Sequence, residues 1–243
     1  MNPANGTPVL SVSGLEAGYG DIQILWGIDL EVRPGEIVAI VGSNGAGKTT
    51  FLRTISGILR PTAGTFALEG RPLERASSDK IAADGIAHVP EGRRLFAAMT
   101  VEENLLMGAY ARGLSARALE ADLERVYRFF PILADRRHQL AGSLSGGEQQ
   151  MCAIARGLMA RPKLLLIDEL SLGLAPRIVE DLSRIVLEIN GEGVAIVLVE
   201  QDVLTAFEMA SRAYVFETGR ITLSGPCEEL MENPEIKRSY LGI

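Results

Sequence analysis

Apolar, β-branched runs recur along the chain at Val9–Val12, Ile28–Val32, Glu36–Val41, Thr65–Leu68, Ile86–Val89, Lys163–Ile167, Val194–Val199, Ala213–Phe216 and Ile221–Leu223. The first four predict strands, because Arg33-Pro34-Gly35 and Arg60-Pro61-Thr62-Ala63-Gly64 place turn-forming residues between them. The runs at 36–41, 163–167 and 194–199 are apolar without alternation, which predicts strands covered on both faces of a parallel sheet. Helical spacing appears between them. Ile178, Val179, Leu182, Ile185, Val186 and Ile189 predict one amphipathic helix over Pro176–Asn190, with Gly191 as its stop.

From about Arg93 to Leu144 the strand pattern disappears. Thr100-Val101-Glu102-Glu103 has capping-box spacing and predicts a helix through about Ala111. Gly113-Leu114-Ser115 breaks it, and a second, charged helix over Ala116–Phe130 ends at Pro131. The expected organisation is a loose N-terminal tail at 1–8, an α/β core made of 9–92 and 145–243, and a helical subdomain at 93–144.

Composition narrows the class. At 243 residues and 47% hydrophobic, the chain buries a substantial core. A formal net charge of −7 argues against nucleic acid as the main ligand, since phosphate neutralisation needs a basic face. No apolar run reaches bilayer-spanning length, and Met1–Pro8 lacks the basic and apolar blocks of a signal peptide. The two cysteines, Cys152 and Cys227, are too few for a disulfide framework and suit a reducing cytoplasm.

The chemistry starts at Gly42-Ser43-Asn44-Gly45-Ala46-Gly47-Lys48-Thr49, which fits G-x-x-x-x-G-K-[ST], preceded by an apolar run and running into the helix-like Lys48-Thr49-Thr50-Phe51-Leu52-Arg53-Thr54-Ile55. Glycines let the backbone curl with its N–H groups inward, and the following helix N-terminus adds partial positive charge, so the loop suits a polyphosphate. Lys48 is placed to reach the β/γ-phosphates and Thr49 to ligate Mg²⁺.

Two further segments extend the pattern. Ser145-Gly146-Gly147-Glu148 opens a helix whose stripe is Met151, Ile154, Ala155, Leu158 and Met159. Ser145 and Glu148 have capping-box spacing, while two adjacent glycines, each costing about 1 kcal/mol in a helix relative to alanine, suggest a second anion site. Lys163–Glu169 reads as a buried strand delivering Asp168 and Glu169 to its C-terminal tip, where open α/β sheets bind ligands. Asp168 is the expected Mg²⁺ ligand, and Glu169 the general base or water-positioning residue for attack on a γ-phosphate.

With these segments in place, the chain resembles the ATP-binding subunits of ABC transporters over nearly its whole length. Gly42–Thr49 looks like Walker A, Leu144–Gln149 like the ABC signature, and Leu164–Glu169 like Walker B with its catalytic glutamate. The resemblance implies an α/β fold: a P-loop NTPase core with an antiparallel β subdomain and an inserted α-helical subdomain. It also implies that Tyr19 stacks on adenine. Several positions depart from the broad family: Glu91 stands for the Q-loop glutamine, where its carboxylate can still approach Mg²⁺. Gln201 stands for the switch histidine, Ala175 for the D-loop aspartate, and Leu170 for the proline after the glutamate. The first three, with the Pro90-Glu91-Gly92-Arg93-Arg94 segment and the Ser239-Tyr240-Leu241-Gly242 ending, are similar to the shorter ATPase subunit of branched-chain amino acid importers. Leu170 does not fit that branch either.

That resemblance implies ATP and Mg²⁺ as cofactors, with ATP on the phosphate loop of one subunit covered by Ser145, Gly146, Gly147 and Glu148 of another. The implied partners are a second ATPase subunit (a longer sister by analogy, or an identical chain), transmembrane permease subunits, and indirectly a substrate-binding protein. The implied location is cytoplasmic, peripheral on the inner face of the cell membrane. Two other classes are weighed against it: a soluble ABC ATPase acting on translation or DNA, and a weakly hydrolysing nucleotide-binding partner subunit. Single-cassette length and acidic balance oppose the first, and Glu169 opposes the second.

Overall fold

The computed structural model describes residues 7–241. The tail expected at 1–8 therefore lies mostly outside the described residues, as does Gly242. Among the described residues, ten strands form two sheets. The first has β1 (Leu10–Tyr19), β2 (Ile22–Val32), β4 (Ala63–Leu68) and the short β5 (Arg71–Pro72) in the order β2-β1-β4-β5, every pair antiparallel. The second has β3 (Ile37–Val41), β6 (Ile86–Val89), β7 (Leu164–Asp168), β8 (Ala195–Glu200), β9 (Arg212–Glu217) and β10 (Arg220–Pro226) in the order β10-β9-β3-β8-β7-β6. All its pairings are parallel except the β9–β10 hairpin at one edge.

All nine apolar runs fall on strands. Those read as doubly covered are so: every residue of β3, β7 and β8 is buried. Alternate residues feed two different cores. Val38, Ile40, Leu164, Leu166, Val197 and Val199 pack with Phe51, Leu52 and the inner face of the antiparallel sheet. Ala39, Val41, Leu165, Ile167, Ile196 and Leu198 pack against helices on the other face. Each fully buried branched side chain stabilises by roughly 1.5–3 kcal/mol relative to exposure, so both faces of the sheet pin its register.

The strands β1 and β2 run longer than their apolar runs because they bulge: their pairing shifts register between Val12 and Leu15, Leu15 and Ala17, and Ala17 and Gly18. Gly64, expected in a turn, lies inside β4. A β-carbon there would sit 2.2 Å from the Gly14 carbonyl oxygen, so the residue serves a close strand crossing.

The helices are α1 (Lys48–Ile55), α2 (Ser78–Asp84), α3 (Val101–Gly108), α4 (Ala116–Phe129), α5 (Pro131–Asp135), α6 (Gly146–Leu158), α7 (Pro176–Gly191), α8 (Val203–Met209), α9 (Cys227–Glu232) and the single turn α10 (Pro234–Ile236). The capping box at Thr100 and Glu103 forms as expected, but α3 ends at Gly108, with a 3₁₀ turn over Tyr110–Arg112. Helix α7 runs through Gly191, and Gly193, at φ 93°, takes the left-handed position after it. Between 93 and 144 the described backbone is helix and loop, apart from one isolated bridge between Thr100 and Leu140. Val101, Leu105, Val126, Phe130 and Leu133 from this stretch share one apolar cluster with Ala155 and Leu158 of α6, so the insert is packed continuously onto the core.

Candidate functional site

The phosphate loop spans the gap between β3 and α1 and is shaped by close contacts. Gly45 (φ 81°) and Gly47 (φ 103°) adopt left-handed backbone, and Gly47 caps α1. A β-carbon at Gly42 would lie 2.3 Å from the Phe216 carbonyl oxygen, and one at Gly47 2.9 Å from Leu25. The loop is closed by Ala46 N–H donating to Ser43 O at 3.1 Å and tied to the β9–β10 turn by Gly219 N–H donating to Ala46 O at 2.9 Å.

Lys48, only 5% exposed, folds back over this loop. Its Nζ donates to Gly42 O at 2.6 Å and Ser43 O at 3.3 Å, and lies 3.9 Å from Glu169 Oε1. Burial pulls its pKa below the ordinary lysine value, opposed by Glu169, Asp168, Glu200 and Glu91. The cation is thus held among carbonyls and carboxylates in a cavity of about 500 Å³, lined by Ile24, Asn44, Gly45, Ala46, Gly47, Lys48, Thr49, Thr50, Glu91, Glu169, Leu172 and Gln201.

Asp168 ends β7 at the same place. Thr49 Oγ1 donates to Asp168 Oδ1 at 3.4 Å, while Asp168 Oδ2 is buried with no hydrogen-bond partner. Burial pushes the Asp168 carboxyl up to about 6, with Glu169 and Glu91 adding to the rise. An orphaned, disfavoured carboxylate beside a threonine hydroxyl fits a hard divalent cation such as Mg²⁺, which typically takes one or two protein oxygens and completes its shell with phosphate and water. Among the described residues no group of three or more His, Cys, Asp or Glu is placed to cage a metal.

Glu169 follows in left-handed backbone (φ 57°) and is buried, which raises its pKa. Its N–H donates to Val199 O at 2.9 Å, so the β7 tip stays on the sheet ladder one residue beyond the strand. Leu170 packs wholly into the helix-side core, which explains how an apolar residue is accommodated there. Ala175 occupies the N-cap of α7 with no side-chain cap, and Pro176 supplies the first helical residue.

The Ser145 segment stands apart from this cavity. Glu148 N–H donates to Ser145 Oγ at 3.4 Å, and Ser145 N–H to Glu148 Oε2 at 2.8 Å, completing the expected capping box. Glu148 Oε1 pairs with Arg136 Nε at 2.9 Å, so both its oxygens are engaged. Gly147 has a packing reason as well, since a β-carbon there would lie 2.7 Å from Ile178 Cγ2. One at Gly146 would lie 3.3 Å from the Arg93 guanidinium.

Of the residues singled out from sequence, the fold brings Asn44–Thr50, Glu91, Asp168, Glu169 and Gln201 together on the loop formed by Gly42 and Ser43. It does not bring Ser145–Glu148 or Tyr19 to that cavity. Tyr19 sits at the end of β1, 43% exposed, its hydroxyl accepting from Arg53 Nη1 of α1 at 3.2 Å. Sequence reasoning missed Ile24, Leu172 and Glu200. Ile24 belongs to a strand half that its own pattern did not predict. Glu200 is almost wholly buried, accepts two hydrogen bonds from Ser171, and is pushed up to about 7 by burial; an acid directly after an unbroken apolar strand was the available signal.

A family model described as ABC transporter matches residues 25–171. The chain is 45% identical to the high-affinity branched-chain amino acid transport ATP-binding protein BraG of Pseudomonas aeruginosa, over 96% of this chain and 100% of the relative. It is 33% identical to the probable branched-chain amino acid transport ATP-binding protein LivF of Archaeoglobus fulgidus, over 94% and 97%. Among solved structures, the ADP conformation of MJ1267, an ATP-binding cassette of an ABC transporter, superimposes with a TM-score of 0.86 at 25% identity, covering 97% of this chain and 99% of that one. Phosphate loop, buried acids and end-to-end similarity agree: the chain belongs to the ABC transporter family of ATP-binding subunits.

Proposed function

We propose that this chain is the ATP-hydrolysing subunit that powers import of branched-chain, hydrophobic amino acids through a membrane ABC transporter. The observation that carries the reading is the full-length similarity to BraG, joined to a cavity holding Lys48, Glu91, Glu169 and Gln201 around one phosphate loop.

In the bound state the loop N–H groups from Asn44 to Thr50 surround the phosphates, and Lys48 exchanges its carbonyl partners for phosphate oxygens. Thr49 and Asp168 would hold Mg²⁺, with Glu91, which lines the same cavity, as a further oxygen donor. Bound there, the ion would supply charge neutralisation to the phosphates. Glu169, its pKa raised by burial, positions water and takes its proton; Gln201 donates a hydrogen bond to a γ-phosphate oxygen and cannot add charge there. Ile24 lines the cavity, and Tyr19, exposed outside it at the end of β1, is the residue that would stack on adenine.

Ser145, Gly146, Gly147 and Glu148 belong to a second half-site that completes the pocket of an opposing subunit, a longer sister ATPase or an identical chain. The triphosphate then favours the closed pair, and hydrolysis removes that preference. The helical subdomain, 93–144, passes the motion to permease subunits. A groove of about 510 Å³ between it and the core, lined by Ile58, Arg94, Phe96, Met107 and Arg156, supports a docking role there. Among the described residues no helix is long and apolar enough to cross a membrane, so the reading places the chain peripherally on the inner membrane face, reached indirectly by a substrate-binding protein.

The test is co-purification with membrane partners, followed by ATPase assay in liposomes. Stimulation by leucine-like amino acids through a binding protein is expected; stimulation by ribosomes or DNA instead would contradict the assignment.

A further inference from the structure

Glu200 ends β8 and is 1% exposed, yet it does not line the nucleotide cavity. A carboxylate at such depth is retained at a cost of several kcal/mol unless its oxygens are hydrogen-bonded. Both are. Ser171 N–H donates to Oε1 at 2.9 Å, and Ser171 Oγ donates to Oε2 at 2.9 Å.

Ser171 lies two residues beyond Glu169, and Glu200 immediately precedes Gln201. The turn after β7 is therefore fastened to β8 at two points: through Glu169 N–H on Val199 O, and through Ser171 on the Glu200 carboxylate. Between these anchors Glu169 holds φ 57°, a backbone state that costs a non-glycine residue about 1–3 kcal/mol and persists only where its surroundings over-determine it. The second anchor is the side chain of the residue next to Gln201. We propose that Glu200 is a positioning residue for ATP hydrolysis. Its bidentate grip on Ser171 fixes the turn carrying Glu169 against the strand end carrying Gln201, so that both groups meet the γ-phosphate together.

The inference rests on the ATPase reading above. The experiment compares wild-type protein with its co-purifying subunits against Glu200→Ala, Glu200→Gln, Ser171→Ala and the Glu200→Ala/Ser171→Ala pair, measuring kcat, KM and MgATP affinity by calorimetry. Glu200→Ala is expected to lower kcat about ten- to a hundredfold, the scale of a small misplacement of catalytic groups, with KM and affinity within about twofold. Ser171→Ala lowers kcat less, and the double variant is no worse than Glu200→Ala. Glu200→Gln recovers most of the rate, because its amide accepts from the Ser171 N–H and donates to Oγ. An unchanged kcat in Glu200→Ala, a loss confined to affinity, or additive losses in the double variant would overturn the proposal. Should Glu200→Ala not fold, Ser171→Ala decides: reduced kcat at retained affinity supports it, and unchanged kcat overturns it. A wild-type protein without turnover counts against the ATPase reading itself.

Discussion

Lys48 and Glu169 face each other across the nucleotide cavity, and their environments assign them different tasks. Lys48 is desolvated and held by carbonyls that a triphosphate can replace, so Lys48→Ala is expected to abolish tight ATP binding; unchanged affinity by calorimetry would remove the phosphate-loop assignment. Glu169→Gln keeps the shape of the site and removes the proton acceptor. Binding should persist, hydrolysis should fall by orders of magnitude, and an ATP-bound dimer should accumulate in sedimentation; wild-type turnover would place the base elsewhere. His88 on β6 offers a pH test. Burial, with Arg53 adding, depresses its pKa to about 4 from an ordinary 6.5, so the folded state binds fewer protons than the unfolded. Its share of stability is complete above 6.5 and lost as pH falls towards 4, by up to about 3 kcal/mol. Glu200 and Asp168, both shifted upward, act with opposite sign, so the difference between wild type and His88→Gln in denaturation midpoint isolates the histidine. The variant should lose less stability on acidification, and parallel curves would refute the assignment. The loop residues and the two acids were legible in sequence because their chemistry is local. Glu200 was not, because its partner Ser171 lies 29 residues away and only the pairing of β7 with β8 joins them.

At the scale of elements, unbroken apolar runs identified the buried strands because coverage on both faces leaves no polar position. Strands β1 and β2 were underread: glycines and bulges interrupt their alternation, while antiparallel pairing carries the backbone through. Short helices such as α2 and α8 offered too few turns for a period to show. One contact between helices is directly testable. A β-carbon at Gly108 of α3 would meet the Arg156 carbonyl oxygen of α6 at 1.9 Å, and backbone cannot yield cheaply. Gly108→Ala should destabilise by about 1–3 kcal/mol, whereas Gly225→Ala, with nothing within 4 Å, should change stability by less than about 0.5 kcal/mol. Equal midpoints in urea for the two variants would contradict this packing.

For the whole molecule, the decisive feature is separation. One chain carries a phosphate loop with its acids and, away from that cavity, a capped glycine helix start whose Ser145 faces solvent. Motif spacing could name both halves, but no single-chain pattern says what closes them; that depends on a partner surface. The proposed function requires the nucleotide to be clamped between half-sites of opposing subunits. The most direct measurement is a structure of Glu169→Gln, with its partner subunits, bound to MgATP. The expected result is a triphosphate contacted by Lys48 of one subunit and, across the interface, by the Ser145–Gly147 helix end of the other in a symmetric pair, or by its counterpart in a sister subunit. A nucleotide wholly enclosed by one chain, with Ser145 left in solvent, would contradict it.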